Sequence, residues 1–587
     1  MTLSKSNFRF LIETVVVLAI VICITLWPQV HTHSVILGVD SIFHFNRFYD
    51  TMAQIKTGHY NYFLMNFGFD ETGRIVNALY GAVMAYLQGA LLLMAGSWFH
   101  YEVLSSAMLM VVAFFGMMVI GRQLKFNRLL QLVAATLYAT SPAVIVWITA
   151  QQFTGWGAAL MPYVFAGAFT FFNQKINWKN SLALAIPMAI LIQTHILSAI
   201  ITTIALVPII IGVLFQKKNT KKSLSYGLLA VIETILLTGN VWGVMLEIMP
   251  ANTLLTPWPY ANMADYTSTF NLSLPNTINF AFTHGIVFWV LITTQLIISI
   301  LNWKQTSILA KSVVVTIVVF IVVASPIFPW TWVSHHLPAL QVLLQFPRRL
   351  NVLPELLTPI LVGLNYNHVH FKKSFYSIAL AISFANLGVA AYLVNTQSMA
   401  WNEHTVLSYS HNVTKFANNA AIKKAFNSQN LQAGLTTIKK NSVDYLPTTN
   451  SLTPSHPGKS LRFAYPLYWD LVKVDNSHFT KRVTSKGNLL VKFKMKKAKY
   501  QILPLVMYRR SSLFLNNHQV PKTKIKFNPL KQPIIHLNKG VNVFRLTYRP
   551  TFFTAALSFS TGIFWGLLLF FLLIKQFGNR RILKFSK

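Results

Sequence analysis

Long apolar runs separated by short polar ones dominate the chain. A run of about 20 apolar residues crosses a hydrocarbon core roughly 30 Å thick. Twelve stretches predict such helices: 10–27, 103–120, 129–147, 157–172, 181–194, 196–215, 224–244, 285–301, 308–327, 350–364, 375–394 and 552–573. A thirteenth apolar run, 76–95, is assigned by charge. As a span it would put the loop with Arg122, Lys125 and Arg128, and the loop with Lys175 and Lys179, outside the cell. As a re-entrant or surface helix it leaves every short basic loop on one side, as the positive-inside rule requires. The second option is taken, with both termini cytoplasmic in a multi-pass plasma-membrane protein.

Between the spans the pattern changes. The first outer loop, about 28–102, is far longer than a connection needs and holds Asp40, Asp50, Asp70, Glu71 and Glu102. In its second half, the stretch 395–551 alternates apolar and polar residues, at 489–495 and 541–548. Turn signals at Asn516-Asn517 and Asn538-Lys539-Gly540 separate the runs. This predicts a small antiparallel β-sandwich; the first half of the stretch stays unassigned. The expected organisation is a transmembrane module at 1–394, an extracytoplasmic β-rich domain at 395–551, and a last span with a basic tail at 552–587.

Composition agrees with the pattern. Of the 587 residues 54% are hydrophobic and 11% charged, against about 25% charged in soluble domains. The net charge of +36 invites a nucleic-acid reading, but the 50 basic residues are dispersed as a membrane protein disperses them, so no nucleic-acid partner is expected. The 395–551 stretch alone carries 25 Lys and Arg against four acids, which suits an anionic envelope polymer or lipid headgroups. The chain's lone cysteine, Cys23, excludes a disulfide framework and a cysteine-based zinc site. Neither a GxxxxGK[ST] loop nor a strand-to-helix GxGxxG is present, so nucleotide-driven chemistry is not expected.

Five cations escape the cytoplasmic side and the 395–551 stretch: Arg47, Lys56, Arg74, Arg348 and Arg349. Arg47 falls in a predicted helix over 41–57, with Asp40 at its start and Gly58 as its stop. At about 100° per residue, Asp40, His44 and Arg47 share one edge, while Ile42, Phe45, Phe48, Tyr49, Met52 and Ile55 crowd an apolar arc. Such a helix is expected to lie on the outer bilayer surface. Asp40 then reads either as a helix cap or as a base. A carboxylate beside a guanidinium at that depth suits transfer from a lipid-linked phosphate. The phosphate leaves unprotonated, so one carboxylate serves as base where glycosidases need two. Arg47, Arg348 and Arg349 are the candidate phosphate ligands. His44, Asp70, Glu71, Gln151 and His195 are candidate supporting residues. No metal site is expected, with a divalent cation, Mg or Mn, left open; the pair His335-His336 does not read as one, because neighbours on a helix diverge by about 100°. Glu233 and Glu355 lie within spans and must face the bundle interior.

The region 40–47, the run 76–95 and Gln345-Phe346-Pro347-Arg348-Arg349 resemble the GT-C superfamily of membrane glycosyltransferases. More narrowly, they resemble bacterial multi-pass proteins described as pyruvoyl-tetrahydropterin-synthase-related. That resemblance implies a GT-C-like polytopic helical fold, Asp40 as catalytic base and a sugar on undecaprenyl phosphate as donor. No zinc-ligand histidine cluster supports the pterin-synthase part. Relatives often carry an acid in the loop after the third span, where this chain has Gln151-Gln152-Phe153; this protein either does without that acid or uses Asp70 or Glu71. The expected activity is transfer of the sugar onto a cell-envelope acceptor, glycan, teichoic acid or glycoprotein, with inversion. Competing readings are a flippase for lipid-linked glycans, a non-catalytic envelope-assembly scaffold, and an acyltransferase built on His195.

Overall fold

The computed structural model describes residues 5–173, 175–216, 220–269, 284–403, 405–451, 458, 461–473 and 478–582. Six described helices are long and apolar enough to cross a membrane: Ser6–His31, Trp98–Gln123, Thr154–Phe172, Ile196–Phe215, Lys372–Asn402 and Phe552–Phe571. The protein is a multi-pass helical membrane protein. Two expected spans are broken. The first bends by 40° between Arg128–Ala139 and Pro142–Ala150, where Pro142 cannot donate to the ladder and restarts the helix as its first residue. The second bends by 64° between Thr220–Leu237 and Gly239–Ala251. There the Asn240 amide donates to Thr561 Oγ1 at 3.1 Å instead of continuing the ladder. The run expected at 76–95 is a shorter apolar helix, Ala82–Ala95.

The Ser41–Thr57 helix departs from expectation. It does not lie on the bilayer: twelve of its residues are buried, among them Arg47 and Asp50. Its apolar arc (Ile42, Phe45, Phe48, Met52) joins the core of the helical bundle. Its polar edge is hydrogen-bonded inside the protein. A helix held between two protein layers shows the same amphipathic pattern as one on a bilayer, so periodicity alone cannot separate the two.

The C-terminal part opens with two three-residue strands, β1 (Val413–Lys415) and β2 (Ile438–Lys440), paired with each other. Then follow β3 (Phe479–Val483), β4 (Leu489–Met495), β5 (Lys499–Ile502), β6 (Ser511–Leu515), β7 (His518–Gln519), β8 (Lys526–Phe527), β9 (Pro533–Leu537) and β10 (Gly540–Tyr548). They form an antiparallel five-stranded sheet, β3-β4-β10-β6-β7, and a three-stranded one, β5-β9-β8. β10 pairs β4 with Phe544 opposite Val491 and Leu546 opposite Leu489; all four are buried. Phe63, Leu64, Ile75 and Leu79 from the first loop and Val244 and Ile248 from the bent helix join this same core. The first loop therefore belongs to both cores and welds the β-rich part to the bundle.

Candidate active site

Where the first loop, the bent helix Gly239–Ala251 and the beginning of the C-terminal part meet, a cavity of about 1140 Å³ opens. Its floor is fixed by a set of buried hydrogen bonds. Glu102 Oε2 accepts from the Ile36 amide (2.8 Å) and from Gln29 Nε2 (2.7 Å). The Asp40 amide donates to the Ala150 carbonyl at 3.1 Å. Gln151, in a left-handed conformation at φ 50°, accepts through Oε1 from the Ser41 hydroxyl and donates through Nε2 to Glu102 Oε1 at 3.3 Å. Each bond satisfies a buried group that would otherwise carry a desolvation penalty.

Asp40 precedes the helix, yet its side chain caps no backbone amide. The carboxylate lines the cavity, and its side chain is 37% exposed. Its partner is Lys440, whose Nζ stands 3.3 Å from Oδ1 and also donates to the Val39 carbonyl. Arg349 lines the same cavity. Burial lowers its pKa to about 10, so it stays a cation at neutral pH. Arg349 Nη1 donates to the Leu344 carbonyl at 3.0 Å; its Nε is buried with no hydrogen-bond partner. His44 and His195 line the cavity too. His195 breaks the chain between two helices and bonds Ser198 Oγ through Nδ1 at 2.8 Å. His44 Nδ1 lies 3.0 Å from Arg47 Nη1. Because guanidinium only donates, His44 accepts there and carries its proton on Nε2.

Other expected site residues lie elsewhere. Arg47 is fully buried behind the cavity and does not line it. Its guanidinium serves Asn77 Oδ1 (2.9 Å), His44 and the Tyr80 carbonyl, so it is held by the fold rather than offered to a ligand. Arg348 lies over the rings of Phe346 (5.2 Å) and Tyr266 (5.9 Å), outside the lining. Asp70 and Glu71 sit in a turn of positive φ (57° and 54°), away from the cavity, where Asp70 pairs with Lys439 and Glu71 faces Lys481. Gln151 supports the floor from below. Within the bundle, Glu355 accepts from the Ala143 amide (2.7 Å) and meets His284 Nδ1 at 3.1 Å; Glu233 accepts from Ser181 Oγ at 3.2 Å. The adjacent His335 and His336 bind nothing together: His336 donates to the Trp332 carbonyl and stacks on that indole.

Lys440 was not foreseen. It ends a three-residue strand, too short for periodicity, and one of 25 cations in its stretch carries no sequence mark. The acids that line the cavity are Asp40 and Asp444. Asp40 faces Lys440, and Asp444 is half-buried, with its pKa raised by desolvation. Among the described residues no group of three or more His, Cys, Asp or Glu is placed to hold a metal.

A polytopic helical protein with a cavity between its helices and its C-terminal part is the class these observations define. No family model matches the chain, and no curated protein does. Among solved structures it is similar to the arabinofuranosyltransferase AftD from Mycobacteria, at 14% identity and TM-score 0.43, over 68% of this chain and 27% of that one. It is also similar to the Archaeoglobus fulgidus oligosaccharyltransferase (11%, TM-score 0.40, 66% and 56%). A third is ArnT from Cupriavidus metallidurans bound to undecaprenyl phosphate (10%, TM-score 0.37, 69% and 77%). The chain spans about a quarter of the first and about half of the second. Likeness at these scores carries no chemistry; the cavity's own residues do.

Proposed function

We propose that this protein is a membrane glycosyltransferase of the GT-C kind, moving a sugar from a polyprenyl-phosphate donor to a cell-envelope acceptor on the outer face of the plasma membrane. One observation carries the reading: an uncapped carboxylate, Asp40, stands in an open cavity beside two cations, Lys440 and Arg349. The acceptor hydroxyl attacks the anomeric carbon opposite the phosphate, so the configuration inverts. Its proton passes to Asp40 as the carbon–oxygen bond to phosphate breaks, and polyprenyl phosphate leaves as an anion. Lys440 and Arg349 take up that charge. Lys440, turning from Asp40 to the phosphate, frees the base only when donor is bound. Arg349 is retained from the expected clamp, and Lys440 replaces Arg47 in it. Orientation follows the basic loops: both termini cytoplasmic, the β-rich domain outside, where its lysines meet an anionic polymer or headgroups.

The test uses purified protein in liposomes with labelled polyprenyl-phosphate sugars and envelope acceptor. Asp40→Asn is expected to lower transfer by about 10²–10⁴-fold while the melting temperature holds, since the carboxylate caps nothing. Full transfer by that variant overturns the base assignment. The two bent helix pairs favour a second reading, because broken spans line substrate paths in transporters. Translocation of a lipid-linked glycan without any transfer product would select it.

A further inference from the structure

The cavity is larger than one carboxylate and two cations need, and a second set of side chains lines it: Trp258, Tyr409, His411, Asn441, Arg462 and Tyr465. Trp258 comes from a strap that follows the Gly239–Ala251 helix; the others come from the C-terminal part. The strap is not loose. Gln345 Nε2 donates to the Trp258 carbonyl at 2.9 Å. The Tyr260 amide donates to the Gln341 carbonyl at 3.1 Å, and the Leu255 amide to the Leu446 carbonyl at 2.8 Å. On this fixed backbone the indole meets Tyr465 edge to face, with centroids 5.7 Å apart at 64°, and remains 42% exposed. On the wall of a cavity, such a fixed ring offers an apolar face on which a sugar ring can stack.

Its neighbours say what it binds. Asn441 donates through Nδ2 to the Tyr465 carbonyl at 2.8 Å, which fixes the amide's orientation. Its Oδ1 is then a buried acceptor with no partner, and such a group awaits a donor. Arg462 is exposed and enters no ion pair among the described residues. An open aromatic, an orphaned acceptor for a hydroxyl and a spare guanidinium together match a sugar ring that bears an acidic group.

We infer that this wall is the acceptor subsite and that it takes an acidic sugar, carboxylated or phosphorylated, stacked on Trp258, bonded by a hydroxyl to Asn441 and by its anion to Arg462. This deepens the glycosyl-transfer reading and rests on it for the word acceptor; the binding itself does not need the reaction.

The experiment measures binding of three probes to the full chain in detergent, by tryptophan fluorescence and calorimetry: a galacturonic acid tetrasaccharide, a phosphorylated maltotetraose and plain maltotetraose. At least one acidic probe is expected to bind about tenfold or more tighter than the neutral one. Trp258→Ala should weaken it about tenfold and Trp258→Phe by less. Arg462→Gln should bring the acidic probe down to the neutral one's level. Which acidic probe prefers the site identifies the anion. Equal binding of all three, no binding, or an unchanged affinity in Trp258→Ala overturns the proposal. Undecaprenyl phosphate binding is measured in parallel: it should survive Trp258→Ala and Arg462→Gln but fall in Lys440→Ala. Loss of that pattern with probe binding intact sinks the transfer reading and leaves the sugar subsite standing.

Discussion

His44 spends one ring nitrogen on Arg47 and is enclosed by aromatic rings, stacking on Phe153 at 4.9 Å and Phe48 at 5.8 Å. Burial first, and then the Arg47 cation, hold its pKa well below the usual 6.5. An imidazole whose pKa is lower in the folded chain contributes stability that is complete above the unfolded value. That stability is lost as pH falls below about 6.5, at up to about 1.4 kcal/mol per pH unit. In detergent, the melting temperature of the wild type should therefore drop more steeply between pH 6.5 and 5 than that of His44→Gln. Parallel slopes would show that His44 is not the neutral, Arg-bonded group described. Asp40 offers the contrast: two polar residues one helical turn apart, one of them buried against Arg47 and the other half-open to the cavity, from a sequence that placed both on the same edge.

Among the elements, those with long periodic patterns were legible. The alternating run 489–495 is β4 residue for residue, and 541–548 falls within β10. The 41–57 helix has the expected ends, with Gly58 in a left-handed cap at φ 71°. What periodicity could not give was its burial, the two bends, and the short strands that bring Lys440 to Asp40, because those depend on partners distant in sequence. The approach to the helix shows how such partners act. A Cβ on Gly38 would stand 2.6 Å from Ala150 Cα, a backbone atom that cannot yield cheaply. Gly38→Ala should push the segment two residues ahead of Asp40 off its floor, at a cost of about 1–3 kcal/mol, and lower kcat beyond what the loss of folded protein explains. Gly58→Ala is the control. Nothing lies within 4 Å of its added Cβ, so it should cost about 1 kcal/mol for the left-handed cap and leave kcat unchanged. Equal kcat in the two variants would remove the floor from the account of Asp40.

At the scale of the whole molecule, the site exists only because the C-terminal part is seated on the first loop. Arg74, one of the five cations that broke the charge rule, is the residue most committed to that seating. It is fully buried and donates to the Ser442 carbonyl (2.8 Å), the Tyr468 hydroxyl (3.3 Å) and the Asp444 carbonyl, with its guanidinium 4.4 Å from the Phe69 ring. The turn at Gly487 docks nearby, its carbonyl accepting from Asn61 Nδ2 (3.0 Å) and Asn66 Nδ2 (2.7 Å). Arg74 thus holds the segment that begins two residues after Lys440. Removing it leaves buried carbonyls without donors, at about 1–3 kcal/mol each. Arg74→Ala should therefore release Ser442, Asp444 and Tyr468 from the first loop, open the chain around 442–446 to limited proteolysis, and weaken undecaprenyl phosphate binding as far as Lys440→Ala does, although Arg74 itself does not line the cavity. Lys56, exposed near the end of the Ser41–Thr57 helix, should tolerate alanine in every one of these measurements. If Arg74→Ala keeps both protease resistance and donor affinity, the phosphate clamp does not depend on the seam between first loop and C-terminal domain, and Lys440 loses its place in the site.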